Sequence, residues 1–237
     1  MRFVNDCLRS VQSRLWGRRE ICLLCAGGGA ERGLCAGCRS DLPWQGAACL
    51  RCALPLATDA ICGACLRAPP PQDGAWSAFD YRPPLDFMIR RLKFHSDLSW
   101  ARVLGGLMAE EIPRRCDERP DLIVPVPLHR RRLAARGYNQ ALELARPLAR
   151  RLGVPLAGDL CQRLRPTLEQ TALDAAARRA NVRAAFAVRR SPPATVAIVD
   201  DVLTTGSTVA ALAQSLRRAG AKRVLVWVCA RATLSLR

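Results

Sequence analysis

The 237-residue chain is half apolar and carries a formal net charge of +17, a balance that excludes a disordered polypeptide and favours polyanionic partners. No apolar run approaches the ~18 residues of a membrane span. No continuous apolar segment follows Met1-Arg2-Phe3, so neither a transmembrane segment nor a secretory leader is expected, and the expected setting is cytoplasmic.

Residues 1–20 place Phe3, Val4, Cys7, Leu8, Val11 and Leu15 at helical spacing. This is an amphipathic segment suited to docking on the protein itself, or on a partner or membrane surface.

A cysteine-rich module is expected over residues 21–70. Eight of the twelve cysteines form CxxC pairs: Cys22 and Cys25, Cys35 and Cys38, Cys49 and Cys52, Cys62 and Cys65. Each cysteine of the last four lies 27 positions after its counterpart in the first four, which marks an internal duplication. A CxxC turn sets two thiolates on one side of a backbone knuckle, and two facing knuckles make a tetrahedral S₄ site suited to Zn²⁺. The duplication argues for sequential pairing, with one zinc per repeat. The spacing also admits a cross-braced arrangement, an iron–sulfur centre, or redox CxxC motifs, although the last would need a βαβ context that this segment lacks. With four protein ligands each, two zinc ions would be structural. They would supply roughly 10–16 kcal/mol per site to a module with few large apolar residues. Cys7, Cys116, Cys161 and Cys229 have no partner spacing, and Cys229 reads as a small buried hydrophobe.

Zinc ligation also changes the charge. Eight thiolates and two Zn²⁺ lower +17 to +13 and bring residues 1–70 near neutrality. The basic excess then lies in residues 71–237, with 28 Lys/Arg against 15 Asp/Glu. That excess suits nucleic acid or a pyrophosphate-bearing metabolite, and equally a solvated arginine-rich surface.

Ala68–Gly74 reads as a stiff, turn-rich linker into a second domain over residues 71–237. Leu85, Met88, Ile89 and Leu92 predict a helix, as do Trp100, Leu104, Leu107 and Met108. Leu122–Val126 reads as a strand. Tyr138–Leu152 reads as a helix interrupted or kinked near Pro147. Val196–Val199 and Val224–Val228 are two more buried strands, separated by a helix over Ser207–Ala219 that Gly220 closes. Alternating strand and helix means an α/β domain with a mainly parallel sheet flanked by helices.

Ligands of such sheets bind beyond the carboxyl ends of the strands. There, the run Thr195–Val199 ends at Asp200 and Asp201, and Thr204, Thr205, Gly206, Ser207 and Thr208 follow before the next helix. Amides at that helix start and the four hydroxyls would wrap a phosphate monoester, with Gly206 allowing close backbone approach. The two aspartates would stand where ribose hydroxyls and a Mg²⁺ could be held. The stretch resembles the phosphoribosyl pyrophosphate (PRPP) fingerprint of type I phosphoribosyltransferases. That resemblance implies a loop on the 5′-phosphate and an acid pair on the ribose diol. A capped turn with incidental acids is the plainer alternative.

A second signature runs from Val124-Pro125-Val126-Pro127 through Leu128, His129, Arg130, Arg131 and Arg132 to Arg136-Gly137-Tyr138-Asn139-Gln140. It looks like the pyrophosphate loop of the same fold. Three consecutive arginines oppose the macrodipole at a helix start, a placement that a bound anion would explain and that solvated charge would also permit. His129 fits a hydrogen-bond donor better than a general base. Asn139 and Gln140 suit either ligand contact or helix capping.

The cysteine module, the Val-Pro-Val-Pro-Leu and Arg-Gly-Tyr-Asn-Gln segments, Arg165–Thr171, Arg178–Val182 and Arg90–His95 together resemble the ComF family. That branch often carries Gly-Phe where this chain has Gly137-Tyr138. The resemblance implies a double zinc ribbon before a type I phosphoribosyltransferase-like domain, PRPP bound with Mg²⁺, and a role with single-stranded DNA and DNA-uptake proteins in natural transformation. An active phosphoribosyltransferase, with Asp200 and Asp201 catalytic and an unidentified acceptor, is the alternative. A zinc scaffold that no longer binds ligand is a third reading.

Overall fold

The computed structural model describes residues 21–164 and 185–233. The expected N-terminal helix and the segments Arg165–Thr171 and Arg178–Val182 lie outside the described residues. Two compact units divide the chain, Met1–Leu42 and Pro43–Arg237. Among the described residues, no helix is long and apolar enough to cross a membrane.

The 27-residue duplication is visible in the backbone itself. In the first unit, Ala26 N–H donates to Cys22 O and Cys22 N–H to Gly27 O, each at 2.8 Å. In the second unit, Ala53 N–H donates to Cys49 O and Cys49 N–H to Leu54 O, again at 2.8 Å. Ala26 and Ala53 both adopt positive φ, 60° and 54°, to close the knuckle. Short helices follow at the same offset, α1 (Ala36–Ser40) and α2 (Gly63–Arg67).

In the second unit a four-stranded sheet forms from β1 (Gly74–Asp80), β2 (Leu122–Pro125), β5 (Thr195–Leu203) and β6 (Arg223–Arg231). Its order is β1-β6-β5-β2 and every pairing is parallel. Val196–Val199 and Val224–Val226 are fully buried, as an all-parallel sheet covered on both faces requires. An antiparallel pair, β3 (Cys161–Arg163) and β4 (Phe186–Val188), stands apart from this sheet.

Among the described residues the unit also holds helices α3 (Leu85–Phe94), α4 (Ser99–Arg115), α5 (Arg130–Arg136), α6 (Gln140–Leu152) and α7 (Ser207–Arg218). Val209, Leu212 and Leu216 of α7 cluster with Val196, Ile198, Val224 and Val226 on one face of the sheet. α4 and α6 pack against each other and against the sheet. Their close approach depends on Gly105, where a Cβ would lie 2.7 Å from Leu144 O and 2.9 Å from Pro147 Cγ. The sequence predicts a helix interrupted or kinked near Pro147; α6 is not interrupted there. The ring fits over the bare backbone of Gly105, and that packing offsets the lost amide bond.

β1 was not expected, since Gly74 closed the predicted linker. The segment leading from the first repeat lies along its outer edge. Gln45 N–H donates to Ala78 O at 3.0 Å and Asp80 N–H to Pro43 O at 2.8 Å, while the Trp44 and Phe79 rings lie 4.6 Å apart. The edge of β1 is thereby paired rather than open to solvent.

Candidate functional site

The four sulfur atoms of Cys22, Cys25, Cys35 and Cys38 lie within 4.8 Å of one another, and so do those of Cys49, Cys52, Cys62 and Cys65. Cys25 Sγ and Cys35 Sγ are 3.8 Å apart, as are Cys52 Sγ and Cys62 Sγ. A tetrahedron with Zn–S arms of ~2.3 Å has edges of about 3.8 Å, so both clusters fit zinc in sequential, not cross-braced, pairing. Burial opposes ionisation of Cys22 and Cys49. Backbone N–H groups outweigh it: those of Cys25, Cys35 and Leu24 bring Cys22 down to about 6, and those of Cys62, Arg51 and Cys52 bring Cys49 down to about 7.

The two predicted ligand loops follow neighbouring parallel strands. β2 and β5 pair from Leu122↔Val196 to Pro125↔Val199, and Val126 N–H donates to Val199 O at 2.9 Å. Both strands therefore run toward the same carboxyl edge, where β5 extends past β2 to Leu203. After β5, Gly206 turns the chain at φ +80° and starts α7 without a side-chain cap. Thr205 Oγ1 donates to Ser207 Oγ at 3.1 Å and accepts from Ser207 N–H at 3.4 Å. Thr204 and Thr205 are exposed, and Ser207 and Thr208 half-buried. After β2, Leu128 and His129 lead into α5, whose first three residues, Arg130, Arg131 and Arg132, are all exposed.

The acid pair lies inside β5, not in the turn after it. The strand continues to Leu203 because β6 keeps pairing, Asp200 with Val228 and Val202 with Ala230. Successive strand residues face opposite sides, yet the charge of Lys93 acts on both aspartates. Asp201 Oδ1 accepts from Lys93 Nζ of α3 at 2.9 Å and from Val202 N–H at 2.6 Å. Asp200 Oδ1 accepts from Asp201 N–H at 2.9 Å, and the positive charge of Arg163 on β3 acts on the same carboxylate. Burial, then the charge of Asp201, push the Asp200 carboxyl up to about 7 against the pull of that N–H, Lys93 and Arg163. Asp201 Oδ2 is buried with no hydrogen-bond donor among the described residues. An orphaned acceptor of this kind costs about 1–3 kcal/mol unless a ligand completes it.

A double zinc ribbon family model matches residues 12–66, and a phosphoribosyl transferase domain model matches residues 138–233. The chain is 40% identical over 205 residues to the DNA utilization protein YhgH of Salmonella typhimurium, covering 84% of this chain and 90% of that one. It is 36% identical over 215 residues to competence protein F of Haemophilus influenzae, covering 86% and 92% respectively. The chain belongs to the ComF family. Among solved structures, the glutamine PRPP amidotransferase of B. subtilis aligns with a TM-score of 0.37 at 22% identity, over 53% of this chain and 25% of that one.

In this ComF chain the remaining predicted residues fall into place unevenly. Asn139 caps α6, accepting from Ala141 N–H at 3.0 Å and donating to Val126 O at 3.0 Å. Gln140 is buried and accepts from Arg136 Nη1 at 2.5 Å. His129, expected as a donor, caps α5 by accepting the Arg131 N–H on Nδ1 at 3.4 Å. Tyr138, the departure from the usual Gly-Phe, uses its hydroxyl to donate to Leu92 O on α3. Three residues at or beside this edge were not anticipated. Lys93 lay within the Arg90–His95 motif, to which no role was attached. Arg163 adjoins Arg132 and Asp200 in the electrostatics of the edge, and the β-bridge His129↔Arg163 joins its strand to the arginine loop. Arg231 ends β6 and reaches the carbonyls of Leu203 and Thr204. A cation alone in a helix or strand gives no sequence signal of a partner 27 or more positions away.

Proposed function

We propose that this protein binds PRPP, as its Mg²⁺ complex, at the carboxyl edge of β2 and β5, and handles single-stranded DNA in a competence-related process. The observation carrying the ligand reading is the emergence of a hydroxyl-lined, uncapped helix start and a triple-arginine loop from two neighbouring parallel strands. Amides and hydroxyls from Thr204 to Thr208 would take the 5′-phosphate. Leu128–Arg132 would flank the pyrophosphate, with the guanidinium groups opposing its charge. Asp200 and Asp201 would take the ribose diol, and the orphaned Asp201 Oδ2 is an acceptor waiting for a hydroxyl. Mg²⁺ prefers oxygen ligands and usually arrives on substrate phosphates, which suits this edge. The test is calorimetric or thermal. PRPP with Mg²⁺ at about 100 times Kd should stabilise the protein by ~2.7 kcal/mol, and Asp200→Ala with Asp201→Ala should abolish the shift. No shift with native protein ends this reading.

The DNA reading draws on the names of the relatives and on the +13 charge expected of the zinc-loaded chain. Affinity for an oligothymidylate should fall steeply between 50 and 200 mM salt as counterions are released. Undetectable binding at low salt refutes it. Turnover is the second reading, in which the acid pair would lie beside C1 of a bound ribose, where positive charge develops as pyrophosphate leaves. Pyrophosphate release from PRPP in a metabolite extract, above the double-alanine variant, is the readout.

A further inference from the structure

The second zinc ribbon and the phosphate loop share one side chain. Arg231 is the last residue of β6, paired with Asp80 on one side and Leu203 on the other. Its guanidinium gathers carbonyls from three places. Nε donates to Cys52 O of the second CxxC knuckle at 3.0 Å. Nη1 donates to Leu203 O at 2.9 Å, to Thr204 O at 2.6 Å, and to Ala232 O. Ala232 N–H donates in turn to Leu203 O at 3.0 Å, which fastens the same carbonyl from the backbone.

The knuckle is held at this point by more than one bond. Ala53 follows Cys52, is fully buried, and belongs to the apolar cluster that includes Leu203 and Val209 at either end of the loop. Gln45 Nε2 donates to Ala53 O at 3.0 Å and Ala75 N–H to Leu50 O at 3.0 Å. A zinc ion bound by these sulfurs would fix Cys49 and Cys52 relative to Cys62 and Cys65, and with them the place of the Cys52 carbonyl.

We infer that Arg231 is a positioning residue that transmits the geometry of the second zinc knuckle to the phosphate loop, so that this cluster forms part of the construction of the sugar-phosphate site. A guanidinium suits the task because its planar fork offers five donors at fixed angles, enough for carbonyls of separate segments at once. It also leaves a positive charge directly behind Thr204, where it favours an anion in front. A lysine would keep the charge but not the fork. The ligand arm of this inference rests on the PRPP reading, whereas the structural arm does not.

The test uses the full chain, zinc-loaded for wild type, Arg231→Met and Arg231→Lys, and with the second cluster broken in Cys62→Ser. Amide hydrogen exchange is followed in peptides covering 200–209, 49–56 and, as reference, α6, alongside zinc analysis and PRPP calorimetry. With Arg231→Met, exchange over 203–208 should rise about tenfold while α6 stays at the wild-type rate and two zinc ions remain bound. PRPP affinity should fall about tenfold. Arg231→Lys should loosen the loop equally but lose less affinity, because its charge remains. Cys62→Ser should loosen the loop as Arg231→Met does, and the double variant should add little, since both act along one path. Unchanged exchange over 203–208 in Arg231→Met overturns the inference. So does a uniform rise through α6, which marks a stability residue only, or full additivity in the double variant. Failure of wild type to bind PRPP sinks the ligand reading, while the exchange pattern still judges Arg231.

Discussion

Replacing Asp200 by asparagine should make the ligand-free protein more stable at neutral pH and a poorer binder of PRPP. The Asp200 carboxyl moves from 3.8 to about 7 on folding, through burial first and the Asp201 charge second. In the unfolded chain it ionises near its ordinary value. Between about pH 4 and 7 the native state therefore holds a proton that the unfolded state has released, and stability falls as pH rises through that window. A shift of roughly three units at ~1.4 kcal/mol each amounts to about 4 kcal/mol once both states are ionised. Roughly 2–3 kcal/mol of that loss falls between pH 5 and pH 8. Asparagine matches the neutral acid in shape, and its Oδ1 can still accept the Asp201 N–H seen at 2.9 Å. Urea unfolding at pH 5 and pH 8 reads the effect, with the wild type losing stability across the interval and the variant lacking that part of the slope. At pH 8 the variant should melt about 10 °C higher, at ~2–4 °C per kcal/mol for a unit of this size. A variant that keeps the wild-type slope, or is less stable at pH 8, refutes the reasoning.

Lys93→Met leaves the nearly buried Asp201 carboxylate without its cation and should cost about 2–4 kcal/mol at pH 7, measured by denaturant unfolding. Gly206→Ala forces a side chain onto φ +80°. It should cost about 1–2 kcal/mol and weaken PRPP binding in calorimetry. Gly105→Ala drives a methyl into Leu144 O and Pro147, and should lower stability by about 1–3 kcal/mol without altering zinc content. Metal analysis should find two zinc ions per chain, and one after Cys49→Ser, matching the two separate sulfur clusters.

The sequence made some of this legible and hid the rest for definable reasons. The cysteine duplication needed no partner outside itself, so spacing favoured sequential pairing over a cross-brace, and the structure repeats the backbone bonds of the knuckles at Cys22 and Cys49. The buried runs that became β5 and β6 were equally plain, because parallel strands covered on both faces read as continuous apolar stretches. Their ends were not. Asp200–Leu203 is strand only because Val228–Arg231 lies beside it, and polar residues carry no period that announces such pairing. Gly74–Asp80 has a glycine, two alanines, a serine and an aspartate among its seven, and becomes a strand through β6 on one side and Pro43–Gln45 on the other. The β3–β4 pair has three residues per strand, too short for any pattern. At the candidate site, the loops were visible as composition, whereas Lys93, Arg163 and Arg231 gain meaning only from residues remote in the chain.

The pairing of Pro43–Gln45 along β1 bears on any attempt to shorten the chain. Cutting at residue 70, where proline and glycine invite it, would strip Trp44 from Phe79 and bare a row of amides and carbonyls flanked by an aromatic ring. Such a fragment would offer itself as a template to its own neighbours, and its poor behaviour in solution would say nothing about whether the remaining sheet can grasp a sugar phosphate.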